Sequence, residues 1–336
     1  MLVVGPSRLV ALVLAALSMA ACGGGSSAAG SGAAGSGAAV TSASAPGGSS
    51  AAAGDPNTDK LAQVLARGTL VLSTDLEYPP QSMAVAGATR TPGTKCADTE
   101  LTTAEVAGYD ADTGKAVAER LGVEPCFSPQ QWPEIIAGGW GDHWDISWGS
   151  GAITEDRMTR LYVTQPSYST PAGVFVSQDA PFQHLAELSG TTLGACTGCT
   201  MEQYLRGTLV LPGAVTARAF DEPTIKTYEN EIPGLQAVAD GKIDGFLCSE
   251  PVGVGEIDKG LNLRMLPEPA YQSYKTGYVD RESGLASAAF VAAVNEAVDS
   301  LHADGTLAGL SEKYFGKDYA AAAAEFDLSS IGQTVE

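Results

Sequence analysis

The chain has 336 residues, with 39 acidic against 19 basic side chains and a formal net charge of −20. That length accommodates two domains. The acidic balance excludes nucleic-acid binding, which needs clustered Lys and Arg to replace counterions. Beyond the N-terminus the apolar runs are too short for a membrane-spanning helix.

The first residues read as a targeting segment. Arg8 supplies the positive charge, "LVALVLAALSMA" is an apolar core too short to span comfortably, and "AAC" places small residues before Cys22. The pattern is similar to a bacterial lipoprotein signal, with Met19 where Leu is usual. It predicts a signal over 1–22 and lipidation of Cys22; an ordinary secretory signal cut near Ala21 is the alternative. Residues 23–55 are almost wholly Gly, Ala and Ser, with no charge before Asp55, and read as a flexible tether. Anchor and tether together place the folded part outside the cytoplasm, on the outer face of the cell membrane. Export favours disulfides over metal sites for paired cysteines. Setting Cys22 aside leaves Cys96, Cys126, Cys196, Cys199 and Cys248, an odd number. At least one thiol therefore stays free or pairs between chains.

"GTLVLST" (68–74) is a β-rich run ended by Pro79 and Pro80. Residues 83–104, rich in Thr, Ala and Gly, read as a loop. "YDADTGKAVAERLGV" (109–123) is an amphipathic helix stopped at Gly122. "VEPCFSP" is a strand, "WPEIIAGGW" a short helix and "WDISWGS" a strand. "AGVFVS" (172–177) is a strand; "LAELSGTTLGAC" gives helix, turn and strand; "TMEQYLRGT" is a helix. "VTARAF" (215–220) is expected as a strand, "IPGLQAVADGKID" as a helix, and "GFLCSE" and "YQSYKTGYV" as strands. The stretch from Leu285 to Gly316 is a helical pair broken at Asp304–Gly305. Alternating strands and helices predict an α/β fold with parallel sheets and crossover helices.

One segment is at odds with its own local electrostatics. In "AITEDR" Thr154 can cap a helix, and Glu155 and Asp156 suit its positive end. Arg157 falls in the same first turn, where a cation is disfavoured, directly after the small residues Gly149, Ser150, Gly151 and Ala152. A surface ion pair with Glu155 or Asp156 is the plain explanation.

Residues 61–318 resemble the family 3 extracellular solute-binding proteins of ABC importers, those for polar amino acids. "RGTLVLSTDLEYPP" looks like the family's opening strand and aspartate–aromatic turn. "GYDADTGKAVAERLGV" is similar to its "GFDVDLAKALAKRLGV" pattern. "WDISWGSGAITEDR" has the length of its "YDVIIAGMTITPER" pattern residue for residue. "LAELSGTTLGA" follows. "ADGKIDGFLCSEP" is similar to "ANGRVDAVVVDEP", and "VNEAVDSLHADGTLAGLSEKYFG" to the terminal helices. The resemblance implies a two-lobe periplasmic-binding-protein-like fold of type II, with two hinge strands and a ligand cleft between the lobes. The lobes would hold 56–169 with 275–336, and 170–274, and would close on ligand about the hinge.

The resemblance also implies roles. Arg157 grips the ligand's carboxylate through a bidentate pair, with Ser150, Gly151 and Ala152 beside the same anion. Thr200 is a second carboxylate contact, while Asp75 and Tyr78 form the first-lobe wall. Trp132 adds an aromatic face; Trp148 is better explained as core. Ser249 stands where the family has the Asp that holds the ligand's ammonium, and Ala152 where it has Thr. Those two departures weaken the ammonium end of the site. Glu250, adjacent to Ser249, points to the opposite face, so Asp75, Glu77 or aromatic faces would serve any cation. One disulfide per lobe is implied: Cys96–Cys126 in the first, and Cys248 with Cys196 or Cys199 in the second. Cys196–Cys199 is the runner-up and a three-cysteine zinc site a distant third.

The expected protein is a monomeric, lipid-anchored binding protein without cofactor or metal. Its ligand is an amino acid or related small carboxylate, and its partners are the membrane subunits of an ABC importer. The rivals are an exported enzyme similar to the cyclohexadienyl dehydratases, and a ligand sensor for a membrane receptor. An enzyme needs a positioned acid or base, and His143, His184 and His302 sit in no pocket motif.

Overall fold

Thr69–Thr74 is buried at every position, as befits a parallel strand covered by helices on both faces. It pairs in parallel with Glu124–Pro129 and with Ile146–Ala152. The coordinates are a computed structural model describing residues 54–212 and 214–336. The signal segment, Cys22 and all but the end of the 23–55 tether lie outside the described residues. The helix Tyr109–Leu121 ends at Gly122, whose φ of 74° suits a residue without a side chain. Its Val117 and Ala118 pack with Leu70, Leu72, Phe127 and Ile146. Phe290, Val294 and Val298 of the long helix Ala288–Ala303 close the other side of this core.

A second lobe is built on the parallel strands Thr192–Cys196, Thr224–Tyr228 and Gly245–Ser249. Its sheet is covered on one side by Met201, Tyr204 and Leu205, and on the other by Leu235, Val238 and Val252. The strand expected over 215–220 is a correction. Only Ala214–Val215 is extended, in a small antiparallel pair with Val210–Leu211. Phe220 instead packs into the core beside Tyr204. The strand of the main sheet is Thr224–Tyr228, an edge strand with mostly exposed side chains, so no alternation of apolar residues announced it. The helix Glu250–Asp258 was also unannounced, because Gly253 and Gly255 lower its helical propensity.

Two ten-residue strands, Tyr168–Ser177 and Tyr271–Asp280, join the lobes. They pair antiparallel from Tyr271 opposite Ala172 to Lys275 opposite Tyr168. The first continues onto Gly245–Ser249, and the second onto Ile146–Ala152 and Leu161–Val163. The result is one continuous ten-stranded mixed sheet, rather than purely parallel sheets. A strand that leaves a lobe and a strand that returns beside it must run in opposite directions.

The irregular segment after Ala84 is held by side chains. Arg90 donates to the carbonyls of Cys96, Ala97 and Glu100, and Glu124 accepts from the Lys95 amide at 3.0 Å. The Cys96–Cys126 disulfide, with Cα atoms 5.4 Å apart, ties it to the neighbouring strand as expected. Among the described residues no helix is long and apolar enough to cross a membrane.

Candidate functional site

The carboxyl ends of the strands in both lobes open onto a cleft with about 670 Å³ of empty space, counting solvent at its mouth. Asp75, Tyr78, Trp132, Ser150, Ala152, Arg157 and Thr200, all expected at the site, line it. Gly151 and Ser249 do not. Trp148 also faces the cleft while packing in the first-lobe core, its indole N–H donating to Thr113 Oγ1 at 3.0 Å.

Arg157 sits in the one-turn helix Glu155–Met158, where Thr154 Oγ1 accepts from the Arg157 amide at 3.2 Å. Its side chain is 1 % exposed, so the surface ion pair is excluded; Asp156 pairs with Arg160 instead. The guanidinium donates to Ala152 O at 3.2 Å, Tyr278 Oη at 3.0 Å and Gly198 O at 3.2 Å. It lies 5.0 Å from the centre of the Trp132 ring, a cation–π distance. Its poor position in the helix dipole is thus offset by three acceptors and an aromatic face.

The small residues before Arg157 belong to a strand, and their smallness serves other side chains. Gly149 has a φ of 132°, and a Cβ there would lie 2.3 Å from Asp110 Oδ2. A Cβ on Gly151 would lie 2.4 Å from the Tyr278 ring. The strand therefore admits Asp110 on one face and Tyr278 on the other.

Three buried charged residues of the cleft had not been expected there: Asp110, Glu231 and Lys275. Asp110 is buried; Ser150 Oγ donates to its Oδ2 at 2.8 Å, while Oδ1 is buried without a partner. Burial pushes the carboxyls of Asp110 and Glu231 up to about 7 each. Burial, reinforced by Arg157, pulls the Lys275 ammonium down to about 8. Asp75 is also raised, chiefly by burial and then by the nearby acids Glu77 and Glu229. Asp110 had a signal in the sequence, an acid in the first turn of a helix, but acids there are ordinarily solvated.

A carboxyl raised on folding keeps its proton where the unfolded chain has lost it. Stability from Asp110 is therefore greatest below about pH 4 and falls as pH rises towards 7. The protein should melt higher at pH 5 than at pH 8, and Asp110→Asn should narrow that gap by stabilising the pH 8 state. Scanning calorimetry at the two pH values checks this; an unchanged gap would contradict it.

Hydrogen bonds cross the cleft. Tyr78 Oη and Ser249 Oγ are 2.9 Å apart, and Asn230 Nδ2 donates to Glu77 Oε2 at 3.0 Å. Ser249 is thus engaged by Tyr78 behind the cleft wall. Glu250 points away to Lys317 at 3.1 Å. Tyr271 donates to Thr200 Oγ1 at 2.7 Å. His143, His184 and His302 line no part of the cleft.

The second-lobe disulfide corrects the favoured pairing. Cys196 bonds Cys199 across the turn into the helix Thr200–Arg206, with Cα atoms 5.6 Å apart, and Cys248 is a free, buried thiol. The strands bearing Cys196 and Cys248 are neighbours, but their ladder ends at Phe246 opposite Gly194, two residues short of the cysteines. Cys248 then packs with Phe175 and Leu235, away from the cluster that holds Cys196 and Cys199.

Two α/β lobes on one sheet, two hinge strands and a cleft with charged side chains at the strand ends define a two-lobe solute-binding protein. The model of the bacterial extracellular solute-binding proteins, family 3, matches residues 71–317, and the chain belongs to that family. Over 260 residues it is 24% identical to the L-cystine-binding protein TcyJ of Escherichia coli, covering 77% of this chain and 86% of the relative. It is 25% identical over 217 residues to an L-arginine-binding protein of Pseudomonas aeruginosa, covering 64% and 81%. A crystal structure of the ancestral amino acid-binding protein AncCDT-1, a precursor of cyclohexadienyl dehydratase, superposes with a TM-score of 0.58. It is 22% identical and covers 76% of this chain and 99% of its own.

Proposed function

We propose that this protein is the lipid-anchored binding component of an ABC importer, closing its lobes on an amino acid or related small carboxylate. On this reading 1–22 is the signal, Cys22 the lipidated residue and 23–55 the tether. The lobes are 56–169 with 275–336, and 170–274, and the protein acts as a monomer. The observation that carries the ligand class is the buried Arg157, packed on Trp132 at the cleft wall. A guanidinium in that setting is built to receive a carboxylate in a fork. The relatives that bind cystine and arginine support an amino-acid ligand.

A thermal-shift screen over amino acids and small carboxylates tests the reading. A ligand at a hundredfold excess over its Kd adds about 2.7 kcal/mol, or about 5–10 °C in a protein of this size. A screen in which no amino acid or carboxylate moves the melting point overturns it.

A second reading, an exported enzyme, draws on Asp110 and Glu231, whose carboxyls near 7 suit general acid–base chemistry. It is separated by mass spectrometry: a binding protein returns its ligand unchanged after prolonged incubation, whereas an enzyme converts it.

A further inference from the structure

Lys275 is the residue of the cleft that the assigned roles leave unexplained. It lies on the hinge strand Tyr271–Asp280, is 3 % exposed and lines the cleft. Among the described residues its ammonium makes no hydrogen bond or ion pair. An ammonium that has no protein partner in so closed a cleft is costly, and it persists where something else supplies the anion. Asp110 and Glu231, from helices on opposite sides of the cleft, are close enough to act on its charge, yet neither bonds it.

The strand register adds a second observation. Lys275 stands directly opposite Ala152, and both face the cleft. Position 152 is where family resemblance leads one to expect a hydroxyl. This chain offers a methyl group there and an ammonium from the adjacent strand. Asp110 Oδ1 completes the set: a buried acceptor without a partner, in the same cleft.

We infer that Lys275 is a second anion-binding group, and that the ligand is an amino acid bearing a second carboxylate. The inference rests on the proposed binding function. Arg157 takes one carboxylate, Lys275 the other, and the unpartnered oxygen of Asp110 accepts from the ammonium. A monocarboxylic amino acid leaves Lys275 buried and unpaired, so the site discriminates against it. Acidic amino acids and diamino dicarboxylic acids such as cystine share the required chemistry, and the probes separate them.

Titration calorimetry of the full folded chain compares L-glutamate with L-glutamine, L-aspartate with L-asparagine, and L-cystine with S-methyl-L-cysteine, with L-arginine as a cationic probe. One dicarboxylic member should bind at least about tenfold tighter than its monocarboxylic counterpart, the scale of one charged hydrogen bond. Lys275→Met should lower affinity for that ligand by about tenfold or more, and change the counterpart by less than about threefold. Lys275→Arg should retain most of the preference. If Lys275→Met does not fold, Lys275→Arg and the wild-type ratios decide. Tighter binding of glutamine, asparagine or arginine than of any dicarboxylic probe overturns this inference and leaves the proposed function standing. Wild-type protein that binds no amino acid overturns both.

Discussion

Replacing Arg157 by alanine is expected to weaken binding of the cognate amino acid at least about a hundredfold, equivalent to about 2.7 kcal/mol, in a protein that still folds. Truncating one partner of a buried, hydrogen-bonded charge pair ordinarily costs about 2–5 kcal/mol. Arg157 meets the conditions for the upper part of that range: it is buried, and its guanidinium is held by Ala152 O, Tyr278 Oη and the Trp132 face. Folding should survive because the first-lobe core of Leu70, Leu72, Phe127 and Phe290 does not include Arg157. The variant also loses the bond to Gly198 O that bridges the cleft, so the lobes should open more readily. Arg157→Lys should recover little affinity, because an ammonium cannot present the planar fork. Calorimetry with circular dichroism as the folding control measures both. Affinity within a few-fold of wild type in either variant would remove the carboxylate role from Arg157.

The second large effect concerns stability. Serine at Cys96 and Cys126 should cost about 3–4 kcal/mol in the chain-entropy account, lowering the melting point by about 6–16 °C. The sequence separation of 30 residues sets that scale. Both cysteines are buried in a cluster with Val71 and Ile135, against which Trp132 packs. The same substitution should therefore loosen the wall on which Arg157 lies and weaken ligand binding. Reduction of the wild-type protein should reproduce the loss. Mass mapping of non-reduced peptides supplies the covalent check: free thiols at both positions in envelope-derived protein would contradict the bond.

The sequence alone determined what is carried by local pattern. Period-3.6 burial announced the helix 109–121, short apolar runs announced the central strands, and the glycines after helices announced their ends. The run of motifs in family order indicated two lobes with a cleft, and the misplaced charge of Arg157 singled out a residue that lines it. Tertiary structure decided what depends on neighbours remote in the chain. Thr224–Tyr228 is a strand because it completes an edge, and its side chains, three of the five exposed, carry no periodic signal. Cys196 joined Cys199 because the ladder towards Cys248 ends before the cysteines meet. Asp110, Glu231 and Lys275 lie on two helices and a hinge strand far apart in sequence. Each read alone is an ordinary surface charge; only the crossing of the hinge strands and the approach of the lobes brings them into one buried cleft, where low polarity makes their charges matter.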